Sequence, residues 1–433
     1  MPTPRLQPSS VGDHLVLAPF AATRYSDPQR LSALTSPAYD LIAPEERENL
    51  ARSDEHSIVH LTLPTFGADD AQRRLNAWRD EGVLVSDREP ALFVYDLAET
   101  GAEPERLSTR GWVGSITLVP PGSPAISPHE ETMPEPVADR LRLLAATQAN
   151  LEPIVLTHNG KRSVSEELAH VYVDSAEPII DLIDDAGVRH RLWRVADHGH
   201  VTAVCADFAD RRAVIADGHH RYQSYLDYQA LQHATVAGAG PWDRGLALLV
   251  PTEGHGPQVR AIHRVVPDLP LDRAVQAASI AFQATSIGPL TASEADDLLA
   301  HSTRTTVLLT DGNGWIALTD PDRASLLGST ADELADAWSD LDIALVDTGL
   351  IEGRWAAAAT VILRHSAAAA IATAQARSGV AVLVRPTAAS TVLQLAARGV
   401  LMPRKSTFFV PKPRTGLVLR CFVDEPDYPD PAR

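Results

Sequence analysis

The chain predicts an α+β fold in which mixed sheets are backed by helices, and three observations carry that expectation. Apolar runs of strand length alternate with stretches of helical spacing, without the regular rhythm of a doubly wound parallel sheet. Asp311-Gly312-Asn313-Gly314 lies between the apolar runs 305–309 and 314–318, a strong antiparallel hairpin signal. Near the midpoint, Val214-Ile215-Ala216-Asp217-Gly218-His219-His220-Arg221-Tyr222 reads as buried strand, tight turn and helix start. Tyr222, Tyr225, Leu226 and Leu231 then recur at helical spacing.

The elements follow in order. Residues 1–12 read as a loose lead-in, and Leu15 to Phe20 as a short apolar strand candidate that ends at proline. Ala43-Pro44-Glu45-Glu46 opens a helix, with proline in the first turn and acids behind it. The stretch 56–63 alternates in part and predicts a strand; 69–81 has helical spacing through Leu75 and Trp78. Residues 91–96 and 111–119 read as paired strands joined by a polar loop. A proline-rich connection, 120–128, leads to His129-Glu130-Glu131 and a helix over 137–147. A strand over 153–157 follows, and 200–208 precedes the strand feeding the central turn. Later come strands at 246–250 and 262–266, a helix at 274–282, a helix at 368–377 and a strand at 380–385. A final helix, 391–398, stops at Gly399 in the C-cap place.

The 433 residues exceed one ordinary domain. We expect an N-terminal α+β region, 1–265, carrying the central motif, and a C-terminal α+β region, 266–433, carrying the Met402–Lys412 stretch. A net charge of −18 disfavours unaided contact with nucleic acid or an anionic membrane surface. Only Cys205 and Cys421 are present, so a disulfide framework or a CxxC site is excluded. No apolar run has membrane-spanning length, and Met1 to Ser10 lacks a signal-peptide core; the expectation is a cytoplasmic protein. GxSxG, Walker-type and GxGxxG signatures are all missing.

The central motif is therefore the leading candidate for chemistry. A helix start offers N–H donors and the positive end of the helix dipole. Gly218 permits close backbone approach, and His219, His220 and Arg221 add donors and charge, which together suit an anion, phosphate above all.

Several stretches carry a resemblance. Tyr39-Asp40-Leu41-Ile42, His129-Glu130 with Thr132, Asp139-Arg140-Leu141, Ala216 to Tyr222, Ile262-His263-Arg264, and Met402-Pro403 with Lys405-Ser406-Thr407 and Pro411-Lys412 run in the order found in domain-of-unknown-function family 1015. The chain is similar to that family over almost its whole length. It departs at Ala38, where the family has a second proline, and at Arg404, where it has a glutamine. The Asp217-Gly218-His219-His220-Arg221 turn also resembles the ParB and sulfiredoxin-like superfamily, which includes free-serine kinases. That resemblance implies a ParB/sulfiredoxin-like nucleotide-binding core elaborated by further α/β segments. It further implies a nucleotide-dependent phosphotransferase, with ATP or ADP as donor, Mg²⁺ as cofactor and L-serine as leading acceptor. A ParB-like regulatory module, or a phosphohydrolase using the same anion site, are the alternatives.

Roles then follow residue by residue. Asp217 reads either as a Mg²⁺ ligand or as a turn-forming, helix-capping aspartate. Glu130 is the first choice of base, set against a solvated acidic loop, with His129 orienting it or touching phosphate. Asp40 is the rival base or metal ligand. Arg264 reads as a clamp for an acceptor carboxylate or as an ordinary strand residue. Lys405 and Lys412 read as secondary phosphate contacts, and Asp139 with Arg140 as a structural ion pair.

Overall fold

The structure, a computed structural model, describes residues 14–100, 108–160, 163–328, 330 and 332–425. The lead-in expected over 1–12 and part of the loop after residue 100 lie outside them. The chain divides into two compact units. The first comprises Met1–Pro257 with Pro411–Arg433, and the second is Gln258–Val410. A single break at 265 is what the sequence suggests; instead the end of the chain returns to the first unit.

The first unit is built on a nine-stranded sheet. Its strands are β1 (Leu17–Ala18), β2 (Leu92–Glu99), β3 (Ser108–Thr117), β4 (Ile126–Ser127), β5 (Ile154–His158), β6 (Ile180–Ile183), β7 (Val188–Val195), β8 (Ala213–Asp217) and β9 (Arg244–Pro251). Their order is β4-β8-β5-β9-β3-β2-β7-β6, with β1 on β3. Only β4 with β8 and β5 with β9 run parallel. That is why the sequence lacks a regular crossover rhythm: hairpin-type neighbours need no helix between them.

Alternate strand residues, period two, turn to one face. Ile154 and Leu156 of β5, Ala247 and Leu249 of β9, and Trp112 and Ile116 of β3 meet residues of four helices there. The helices are α1 (Pro134–Thr147), α2 (Val164–Ser175), α3 (His198–Ala209) and α4 (His219–His233). Leu144, Ala169, Phe208 and Tyr222 are their respective contributions to this core. A four-stranded sheet pairs Ala22–Tyr25 with both Leu84–Ser86 and Leu419–Cys421, and the last of these with Ala149–Asn150. It fastens the chain's end to its beginning through the Ala22–Arg420 register.

The second unit holds β10 (His263–Val266), β11 (Gln283–Ile287), β12 (Thr306–Thr310), β13 (Trp315–Thr319), β14 (Ile362–Arg364) and β15 (Val380–Val384). They form one sheet in the order β11-β13-β12-β15-β10-β14. The expected hairpin is present as β12 and β13. Asp311 Oδ1 accepts the amides of Asn313 and Gly314, each at 2.8 Å, and Gly312 takes φ +91°.

One expected element is different. Residues 56–63 contain a helical turn, Val59–Thr62, rather than a strand. Ile58, Val59, Leu61 and Thr62 are buried with half-buried His60 among them, so the run shows neither clean alternation nor a helical stripe. Among the described residues no helix is long and apolar enough to cross a membrane.

Candidate functional site

Strand β8 ends in a bulge: its register against β5 shifts between Ile215 and Asp217, which pairs with Val155. Bulges of this kind re-aim a side chain at the end of a ladder. Gly218 follows at φ +92°, a left-handed backbone that other residues resist. A Cβ there would also lie 3.0 Å from Ile154 Cγ2 and 3.1 Å from Arg221 Nε. Glycine is thus required twice at this position. Helix α4 begins immediately, with the Tyr222 amide donating to the Gly218 carbonyl at 2.9 Å.

A chain of ion pairs runs through the turn. Lys412 Nζ is 2.6 Å from Asp40 Oδ2 and 2.6 Å from Asp217 Oδ1. The other oxygen of Asp217, Oδ2, accepts from Arg221 Nη2 at 2.5 Å. Arg221 Nη1 donates to the Pro153 carbonyl at 2.6 Å and lies 3.8 Å from Glu152 Oε2. Glu152 Oε1 accepts from the Tyr39 amide at 3.1 Å and from Thr415 Oγ1 at 2.5 Å. The Tyr39 ring carries two guanidinium groups, Arg140 at 4.4 Å and Arg221 at 5.7 Å.

Burial would raise the Asp217 carboxyl, but Lys412 and Arg221 outweigh it and hold the group well below the usual carboxylate range. Burial would lower Lys412, and the carboxylates of Asp217 and Asp40 instead hold it well above its ordinary value. Burial pushes Tyr39 up to about 12 against the pull of both arginines. Asp40, with 35 % of its side chain exposed, is the open end of this chain, whereas Lys412 is 7 % exposed.

Histidines flank the turn. His129 Nδ1 donates to the Ile215 carbonyl at 2.6 Å, and its backbone amide donates to His219 Nε2 at 3.3 Å. The two rings stand edge to face, centroids 4.5 Å apart. Burial pushes His129 down to about 4, so its ring is neutral at pH 7. Glu130 is half-buried directly after it, and His220 occupies the second position of α4.

Several expected roles change with this geometry. Arg221 faces inward as a brace rather than outward to a phosphate, because its spacing of four from Asp217 folds the guanidinium back beneath the turn. Both oxygens of Asp217 are engaged by cations, so as placed it does not fit a Mg²⁺ ligand. Among the described residues no group of three or more His, Cys, Asp or Glu side chains could hold a metal ion. Lys412 is the centre of the ion chain rather than a peripheral contact. In the second unit, Arg264 is 1 % exposed and its fork is filled by Asp347, Nε to Oδ1 at 2.9 Å and Nη2 to Oδ2 at 2.7 Å. It is an internal ion pair and not an open clamp. Lys405 sits in the same unit in a left-handed turn, φ +53°. Asp139 and Arg140 do pair, at 2.6 Å. Glu152 and Thr415 carry no sequence signal at all; only contact with Arg221 and with each other marks them.

A family model described as "Protein of unknown function (DUF1015)" matches residues 17–344, more than half of the chain. None of the curated proteins matches it. Among solved structures it is similar to a free serine kinase in complex with AMP, at 12 % identity and a TM-score of 0.35. That match covers 69 % of this chain and 87 % of the other. SbnI with C-terminal truncation from Staphylococcus aureus matches at 12 % identity and a TM-score of 0.38, covering 73 % and 90 %. A conserved hypothetical protein from Pyrococcus furiosus matches at 12 % identity and a TM-score of 0.32, covering 69 % and 90 %.

Proposed function

The chain belongs to the DUF1015 family, and on that footing we propose that it is a cytoplasmic, nucleotide-dependent phosphotransferase acting on a small hydroxylated metabolite, with L-serine the leading acceptor. One observation carries the reading: a buried ammonium, Lys412, held by Asp40 and Asp217 against the glycine-hinged start of α4. Phosphoryl transfer asks for little covalent chemistry from a protein; it asks for positioned positive charge and a carboxylate near the nucleophile.

In this proposal the phosphates of ATP or ADP lodge at the first turn of α4, with His219 and His220 beside them. Lys412 supplies charge to the transferring group. Arg221 holds Asp217, and through it Lys412, in place. Asp40, the exposed end of the chain, positions the acceptor hydroxyl and takes its proton as the oxygen attacks phosphorus and the bridging P–O bond breaks. Glu130 is the competing base. Mg²⁺ enters only as the ion that accompanies nucleotide phosphates, because Arg221 and Lys412 occupy both oxygens of Asp217.

Incubation with ATP or ADP, Mg²⁺ and L-serine should yield phosphoserine by mass spectrometry. Asp40→Asn should abolish it, while Glu130→Gln retains it; the reverse pattern would transfer the base role to Glu130. Inorganic phosphate without phosphoserine would identify hydrolysis instead. No turnover of any hydroxylated metabolite, with nucleotide unbound, would remove the reading.

A further inference from the structure

A cavity of the first unit lies at the opposite end of β5 from the Asp217 turn, with a volume of about 320 Å³. It opens beyond the carboxyl ends of β5 and β9, the parallel pair at the middle of the sheet. The volume is at the lower end of small-molecule sites.

Four polar side chains from four separate segments converge there: Arg110 of β3, His158 of β5, His170 of α2 and His255 beyond β9. Arg110 Nη1 is 2.7 Å from His170 Nδ1, and Arg211 Nη1 is 3.0 Å from His158 Nδ1. A guanidinium only donates, so both Nδ1 atoms accept and the hydrogen of each neutral ring sits on Nε2. Burial, reinforced by Arg211, keeps His158 neutral, its pKa pushed down to about 3. Ser108 Oγ fixes His255 through Nδ1 at 2.6 Å.

The charge behind these donors is built into the fold. Asp96, 1 % exposed, is shared between Arg110 at 2.9 Å and Arg191 at 2.7 Å. Asp96 is divided between two guanidinium groups, so it does not neutralise Arg110 alone. Glu166 and Glu253 also border the cavity and offset cationic charge there, which disfavours a multiply charged anion. Trp112, Ala169 and Pro251 give the cavity an apolar side, next to Ser165.

We propose that this cavity binds a small monocarboxylate with an apolar body. The carboxylate meets Arg110 and the Nε2–H donors of His158 and His170, and the body packs against Trp112, Ala169 and Pro251. This site is independent of the phosphotransferase reading, since it shares none of that reading's residues.

Benzoate and its neutral isostere benzamide are the probes, titrated calorimetrically into the full-length protein, with inorganic phosphate as competitor. Benzoate should bind one per chain, at least tenfold tighter than benzamide, and should not be displaced by phosphate. His170→Ala, on the exposed side of α2, should weaken benzoate tenfold or more while leaving the melting temperature and ADP binding unchanged. His255→Ala should weaken it as well. Equal binding of benzoate and benzamide, binding indifferent to both variants, displacement by phosphate, or no binding at all would each overturn the proposal.

Discussion

Two arginines, both beside a strand end, present the same face in sequence and serve different ends in the molecule. Arg264 of the second unit meets a single carboxylate in a closed, bidentate pair with Asp347. Arg221 of the first unit is one link in a run of charges, Asp40–Lys412–Asp217–Arg221–Glu152, whose far end is exposed. Carboxylates and cations alternate along it, so that each of its cations meets two carboxylates where Arg264 meets one. The difference teaches that burial of an ion pair says little about function. What matters is whether the network continues to a surface where a ligand can exchange with one of its members.

The sharpest way to test this contrast is to remove each arginine. Arg221→Ala and Arg264→Ala should each destabilise by about 3–5 kcal/mol, since each leaves a buried carboxylate uncompensated. Urea midpoints measure this, and a loss confined to one variant would break the equivalence. Replacing both members of the sealed pair by apolar residues, Arg264→Met with Asp347→Leu, should recover most of that stability. The same recovery should fail in the first unit as a matter of activity.

Lys412→Met comes next. With the ammonium gone, phosphoserine formation should fall by ~10²–10³-fold, the usual loss for one charge-stabilising donor. Unchanged turnover would detach the ion chain from the chemistry.

Acid should affect both units in the same direction. His129 and His263 are each pushed down to about 4 by burial, whereas an unfolded chain protonates its histidines near 6.5. The folded state therefore binds fewer protons; the contribution of these rings is complete above pH 6.5 and is lost as pH falls through 4. His129→Gln and His263→Gln should each flatten the fall of melting temperature over that window.

Gly218→Ala follows, at about 1 kcal/mol or more, because the left-handed backbone is strained and the new methyl presses on Arg221. Lys405→Ala is the smallest, within ~0.5 kcal/mol, as expected for a half-buried lysine outside the ion pairs of the described residues.

Much of the local architecture is legible in the residues. The hairpin at Asp311–Gly314, the helix stop at Gly399 and the strand–turn–helix at Asp217 each depend on a few neighbouring positions. Backbone preference and short-range periodicity are sufficient to specify them. Residues 56–63 defeat the same reasoning because buried residues lie on both sides of half-buried His60, which leaves no clean pattern to distinguish helix from strand.

The candidate site divides along the same line. Its core motif can be found from sequence alone, since a glycine turn, two histidines and an arginine lie within five residues. Which way the arginine points cannot. Lys412 and Asp40 are 372 positions apart, and Glu152 and Thr415 are 263 apart; their meeting is settled only when the chain's end pairs back into the first unit. The sequence by itself determined the strand, glycine turn and helix start that bring Asp217, two histidines and Arg221 together. Tertiary structure alone decided which charges stand there already compensated, because an ion pair depends on distance in space, and local propensity carries no record of it.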